Sequence, residues 1–456
     1  MNNLTRKNII KFSKKFNKKC TNKVFKNVNT KNHFNNLVIK SDYLQKNNKY
    51  FSNVIDINTS ITDQKKSGRC WIFAFLNIIR LEMIKKYNLP DFRFSENYLA
   101  FYDKLEKANF FLSYIINNYN KKLDDIILIN ILKIPITDGG TWNIFVNLVN
   151  KYGLIPHNVM QEQYHSGNTI ELNKFLNTFL RKTAITIRNY DINYLRENKD
   201  KILENFLYEC YKILVIFYGE PPKKFDWNYI TINNKNKNLN YKENKKNNIV
   251  RNLDAITFYK KYVPYNVNNK ICLINYPCPD KKFYNLYNTE QNTNVLNMKL
   301  QNYINVPIDI MLKSVIKSID NNEGVWTGLY WNKYNIKERN ILDKNAFNYK
   351  DVFGYDNDIN KCNGLKYRDS FISHAVVIRG YNKDNNDKID KFLVENSHGK
   401  NNNEKNNNYI MSIDWFNDLV YEVVVDKKYV SKKILNVLRK KPILLPYNDP
   451  FGNLAL

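Results

Sequence analysis

The run CWIFAFLNIIRLEMIKKY, from Cys70 to Tyr87, is apolar almost all the way round a helical projection until Lys85. A helix of that character has no polar face to offer water, so it is predicted to be central and buried. Thr5 suits the N-cap of a first helix with Ile9, Phe12 and Phe16 on one face, the periodicity of an amphipathic helix docked on the body. Helical periodicity returns over Ser95–Lys107, Phe110–Asn117, Thr141–Tyr152 and Pro307–Asp320. From about Val325 the pattern turns to short β-rich runs: VWTGLYW, HAVVIRGY, KFLVEN and YEVVVDKKYV. Helices first and strands later predict an α+β protein. Residues 231–248 and 401–408 read as solvated loops, whereas the tail 442–456 is unusually apolar for a chain end.

Composition excludes some classes and leaves others open. The chain has 456 residues, 43% of them hydrophobic and 14% aromatic, which excludes a disordered tail protein and allows two to three domains of about 150 residues. Lys and Arg (71) outnumber Asp and Glu (43), for a formal charge of +28. Abundant Asn, Lys, Ile and Tyr with few Gly is what an AT-rich coding bias produces. The charge also suits weak binding of an anionic partner such as nucleic acid. The six Cys show no CxxC pair and no metal-type spacing, so no disulfide scaffold is expected and a reducing compartment is favoured. The N-terminus lacks the apolar core of a secretory signal and has Lys where mitochondrial leaders prefer Arg. No run reaches the roughly 18 apolar residues needed to span a bilayer. A soluble, cytoplasmic protein with no membrane partner is expected.

The chemistry is concentrated in Gln64-Lys65-Lys66-Ser67-Gly68-Arg69-Cys70-Trp71. Ser67-Gly68 makes a tight turn, and Cys70 opens the buried helix. There the helix dipole and unpaired N–H groups favour the thiolate, so a lowered pKa is expected. The Cys70 N–H and the side-chain amide of Gln64 can together hold an oxyanion. A lone Cys in such a place is more often a small buried hydrophobe; the preceding Gln and Ser-Gly turn argue for a nucleophile.

A thiol nucleophile needs a general base. Of the five His, His33, His157 and His165 lie in polar or Pro/Gly-bounded surroundings, whereas His374 opens the strand HAVVIRGY. A hairpin symmetric about Asn385 would set His374 opposite Asn396, whose carbonyl could accept from the imidazole and fix its tautomer. On its own such a pair is better explained as a core His beside a strand-end Asn; together with Gln64 and Cys70 it argues for a base and its orienter.

Taken together, these residues resemble the papain-like cysteine peptidases, and within them the bleomycin hydrolase / aminopeptidase C branch (peptidase C1 family). QKKSGRCWIFAFLNIIR is similar to that family's nucleophile segment, SHAVVIRGY to its histidine segment and FLVENSHGK to its asparagine segment. Further similarity lies in DGGTWNIFVNLVNKYGLIP, GEPPKKFDW, NVPIDIMLKSVIKSI and MSIDWFNDLVYEVVVDKKY, so it spans nearly the whole chain. The resemblance implies a papain-like fold, with a helical lobe and a β-barrel-like lobe. The core would span about 45–165 and 301–441, with a large insertion over about 166–300. A C-terminal arm, 442–456, would lie in the cleft.

The resemblance also implies roles: Cys70 the nucleophile, His374 the general base and acid, Asn396 its orienter, and Gln64 the oxyanion donor. Gly139 and Gly140 would bind substrate backbone, though a Gly pair before a helix is equally an ordinary turn. The carboxylate of Leu456 would hold the α-ammonium of a peptide substrate, and Leu456 itself is open to self-trimming. A homohexamer and no metal or organic cofactor are implied. The implied activity is that of a cysteine aminopeptidase on peptides; an endopeptidase would result if the arm left the cleft, and a nucleic-acid-binding member with weak or no peptidase activity is the rival class. His398 stands where the family usually has Trp, so the His374–Asn396 bond is expected to be more exposed to water.

Overall fold

The computed structural model describes residues 3–45, 48–55, 59–232, 245–289, 295–298, 300, 302–399, 408–446 and 449–451. The Cys70–Tyr87 helix lies between two apolar cores, which explains its sequence. Trp71, Ile72, Phe75 and Ile79 pack in one core with Leu99, Phe101, Phe145, Leu148 and Leu172 from neighbouring helices. Leu81 belongs to a second core with Ile304, Met311, Val315, Leu329 and Trp415. The helix ends at Asn88, in the left-handed conformation at φ 49.

On the helical side, Ser95 caps one continuous helix, Glu96–Asn117, where two had been expected. Thr141 precedes Trp142–Tyr152, and Pro307 precedes Ile308–Asp320. Of the expected insertion, Ile170–Arg188 and Lys199–Tyr218 add helices packed on Glu96–Asn117. Phe225–Ile232 pairs with Lys245–Leu253 as a two-stranded ribbon, so part of the expected loop 231–248 is strand. Residues 233–244 of that loop, and 401–407 of the other, lie outside the described residues.

The second lobe is a twelve-stranded sheet among the described residues. Its order is Ile443–Leu445, Leu286–Thr289, Asn302–Asn305, Lys270–Ile274, Val420–Asp426, Val325–Leu329, His374–Lys383, Ile389–Glu395, Asn408–Ser412, Ile341–Leu342 and Asn335–Ile336. Asn53–Val54 pairs with His374–Lys383 off this path. The two-residue period of a strand divides one element between the two cores: Ala375 and Val377 join the helical core, Val376 and Ile378 the other. The strand that begins with His374 therefore lies against the helix that begins with Cys70.

Two expectations are corrected here. Arg6–Asn17 is a helix capped by Thr5, but none of its residues is buried: Ile9, Phe12 and Phe16 remain 50%, 53% and 42% exposed, so it is not docked. The cysteine count gave no reason to expect a cross-link, yet Cys278 and Cys362 form a disulfide across a separation of 84 residues. It sits in a small core with Tyr276, Leu445 and Phe451, where the C-terminal arm enters. Among the described residues, no helix is long and apolar enough to cross a membrane.

Candidate active site

The turn before the helix is built on hydrogen bonds of its own residues. Ser67 Oγ donates to Gln64 O at 2.6 Å, and Gln64 Nε2 donates to Ser67 O at 2.6 Å. Lys65 takes a positive φ of 51. A Cβ on Gly68 would come within 2.8 Å of Asp138 Cβ, so only glycine fits there. Arg69, buried, makes a two-pronged ion pair with Glu162 at 2.9 and 2.7 Å and donates from Nε to Ser67 Oγ at 3.0 Å. No side chain caps the helix at Arg69, whose carbonyl accepts from the Ile72 and Phe73 N–H groups at 3.0 and 3.1 Å.

Gln64 and Cys70 line a cavity of about 340 Å³ together with Gly68, Trp71, Thr137, Asp138, Gly139, Gly140, Trp326, Ile372, Ser373, His374 and Ala375. The structure thus brings five of the expected site residues to one cavity. Asn396 stands immediately behind His374, while Leu456 lies outside the described residues. Gly140 is packed so closely on the Trp71 indole that a Cβ would come within 2.5 Å of it.

The histidine is held from several sides. His374 Nε2 and Asn396 Oδ1 are 2.8 Å apart, and the same Oδ1 accepts from the Ser397 N–H at 2.9 Å. That second bond identifies the atom facing the ring as the oxygen. Nε2 therefore carries the hydrogen, and in the neutral ring Nδ1 is left as the acceptor. The route to this contact differs from the symmetric hairpin. The ladder pairs Val377 with Glu395 and Ile378 with Val394, two residues off the expected register, with a bulge between Ile378 and Gly380. His374 itself pairs with Leu329 of the opposite neighbour, and its side chain reaches Asn396 beyond the end of the ladder.

Electrostatics revise one expectation. Burial pushes the Cys70 thiol up to about 11, while main-chain groups of Ala375, Trp71 and Cys70 pull the other way. The helix start does favour the thiolate, but desolvation outweighs it. Burial also drives the His374 imidazole down to about 3, opposed by its bond to Asn396 and assisted by the neighbouring His398. Both shifts favour the neutral thiol and imidazole over their ion pair.

His398 also behaves differently from expectation. Its ring stacks on His374, with centroids 5.2 Å apart and planes 14° apart. The His374–Asn396 pair is nevertheless buried, at 7% and 2% exposure, because Trp331 packs on the His374 ring at 4.8 Å. Beyond His374 lies a second, polar cavity of about 520 Å³, lined by Trp331, Asn332, Lys337, His398 and Tyr409 among others. Sequence reasoning passed over Trp331, Ser397 and Asp138. The last two had a signal, since each adjoins a residue already singled out, Asn396 or Gly139.

The family model described as Peptidase C1-like family matches residues 3–452. Aminopeptidase C of Listeria monocytogenes is 36% identical over 401 residues, covering 87% of this chain and 86% of that one. Bleomycin hydrolase of Homo sapiens is 36% identical over 404 residues, with the same coverage. Among solved structures, PepW from Lactobacillus rhamnosis superposes with a TM-score of 0.90 at 31% identity, covering 98% of each chain.

Proposed function

The chain belongs to the Peptidase C1-like family, and from that premise we propose that it is a cysteine aminopeptidase whose nucleophile is Cys70. The observation that carries the reading is the cavity in which Cys70, His374 and Gln64 meet, with Asn396 fixing the imidazole from behind. His374 Nδ1 takes the thiol proton as Sγ attacks the first peptide carbonyl. The oxyanion is held by the Cys70 N–H and by the hydrogen of Gln64 Nε2 that is not bonded to Ser67 O. His374 then gives its proton to the departing amine, and water, activated by the same imidazole, hydrolyses the thioester. Gly139 and Gly140 line the wall along which the substrate backbone lies.

The exopeptidase character belongs to the C-terminal arm. It is anchored where Lys281 pairs with Asp449 at 3.1 Å and Phe451 packs on Tyr276, Tyr303 and Tyr421. The remaining residues, 452–456, would carry the Leu456 carboxylate to the α-ammonium of a peptide. Assembly as a homohexamer and a cytoplasmic location complete the reading; light scattering and cell fractionation test them.

The deciding experiment is labelling with an epoxysuccinyl inhibitor, mapping of the modified residue, and assay on free and N-blocked aminoacyl fluorogenic amides. Labelling at Cys70 with cleavage of the free substrates alone is expected; full activity in Cys70→Ala would overturn the assignment. Internal cleavage gained on deleting 453–456 would support the arm's role, and none would refute it. Nucleic-acid binding remains a second reading because Arg6–Asn17 and Cys20–Lys31 present lysines with no buried residue. A steep loss of binding with salt is its signature.

A further inference from the structure

Among the described residues, Asp138 is the one acidic side chain in the wall of the Cys70 cavity, and it has a dense set of partners. Its Oδ1 accepts from Lys104 Nζ at 2.5 Å and from Asn173 Nδ2 at 2.9 Å. Its Oδ2 accepts from the Gly68 N–H at 3.0 Å and from Thr169 Oγ1 at 2.5 Å. Its main-chain carbonyl accepts from Trp71 Nε1 at 2.7 Å. Asp138 thus holds the chain two residues before Cys70 and the side chain one residue after it. The adjoining glycines are fixed by the same cluster, since Lys107 Nζ donates to Gly139 O at 2.5 Å and to Thr137 O at 3.1 Å, and Lys104 to Thr137 O at 2.9 Å.

We propose that Asp138 is a positioning residue that sets the height of the Cys70 turn against the Gly139–Gly140 wall, and so the fit of the scissile carbonyl between nucleophile and oxyanion donors. The charge matters as well as the shape. A neutral side chain could fill the space, but only a carboxylate offers acceptors to four donors at once, one of them a buried ammonium. Burial opposes ionisation, yet Lys104, the Gly68 N–H and the Thr169 hydroxyl outweigh it and hold Asp138 well below the usual carboxylate range. The neighbouring negative charge is one of the influences that raise the Cys70 thiol. The enzyme thereby gives up some thiolate in exchange for a rigid turn. Both sides of that exchange are open to measurement.

The inference rests on the proposed cysteine aminopeptidase reading, and its test is separable from that of the reading. Full-length wild type and Asp138→Asn are compared for kcat and KM on an aminoacyl fluorogenic amide, and for the rate of Cys70 alkylation by iodoacetamide across pH. A roughly 10- to 100-fold fall in kcat is expected, with KM within about 3-fold, because the carbonyl is misplaced more in the transition state than on binding. The alkylation profile is expected to move to lower pH, since a negative neighbour of the thiol has gone; a purely structural loss would not move it that way. A kcat within twofold of wild type, or an alkylation profile that stays put, overturns the proposal. If Asp138→Asn does not fold, Thr169→Val removes one donor and leaves the Lys104 pair intact. A fall in kcat of about 3- to 10-fold at constant KM supports the role, and no fall refutes it. Failure of the wild type itself to cleave or to be alkylated at Cys70 strikes the underlying reading instead.

Discussion

Ser397 Oγ donates to Gln64 Oε1 at 2.7 Å, and Ser397 O accepts the Gln64 N–H at 2.7 Å. The residue after Asn396 is thus clipped at two points to Gln64, the proposed oxyanion donor. The clip joins the turn before the helical lobe's central helix to the end of a strand in the other lobe, so the proposed catalytic groups of the two lobes share a reference.

Cutting that clip should loosen the oxyanion donor without removing it. Ser397→Ala is expected to lower kcat about 10-fold with little change in KM, and Ser397→Thr to restore most of it. Removing the donor outright, as in Gln64→Ala, should cost about 10²- to 10³-fold. Steady-state kinetics on the three variants decide; equal activities would show that the clip has no catalytic role.

His398 faces His374 across a ring stack, with Asp63 favouring and Lys337 opposing its charge, and burial working against it most. A cation there makes it harder to add a proton to the Cys70–His374 pair. In His398→Trp that repulsion is gone, so the pair should take up its extra proton at a higher pH. The acid limb of kcat/KM is then expected to shift upward by up to about one pH unit. Because Trp331 and burial already protect the His374–Asn396 bond, the plateau rate should change by less than about 3-fold. An unmoved limb contradicts this account.

Glu422 is 1% exposed in the sheet, with Cys272 Sγ donating to its Oε1 at 2.8 Å. Burial pushes its carboxyl up to about 7 from an ordinary 4.5, against the pull of the Cys272 bond. The folded state then holds a proton that the unfolded state loses first. Stability from this group is fully present below about pH 4.5 and declines as pH rises through about 7, by roughly 3 kcal/mol in all. Urea denaturation at pH 5 and pH 8 should show that loss in wild type and much less of it in Glu422→Gln.

The Cys278–Cys362 bond closes a long loop beside the anchor of the C-terminal arm. Chain entropy sets its contribution at no more than about 4–5 kcal/mol. Replacing both cysteines by serine should lower unfolding stability toward that amount, and reductant should act on the wild type alike while leaving the double variant unmoved. Denaturant midpoints check both arms; no difference would mean that the bond does not contribute.

Several features were legible in the residues because their causes are local. The Thr5 cap and the Cys70–Tyr87 helix each follow from groups within a turn or two of one another, whereas the sheet strands Lys270–Ile274, Leu286–Thr289 and Asn302–Asn305, which precede Val325, were not foreseen. The candidate nucleophile and oxyanion donor were legible for the same reason, lying six residues apart across one turn. His374 and Asn396 were correctly matched, but through the wrong register, since a bulge is set by packing on both faces of the sheet. The amphipathic stripe of the first helix was visible, yet nothing in it could say that the helix would stay undocked.

By itself the amino-acid order determined which groups could do the chemistry and on which elements they would stand. Only the tertiary structure decided their charge states and partners. Desolvation of Cys70 overrides the helix-start effect, Lys104 and Asn173 reach Asp138 from distant helices, and Cys278 finds Cys362 across 84 residues. Each depends on every atom that excludes water from a site or closes a loop, and those atoms are far apart along the chain.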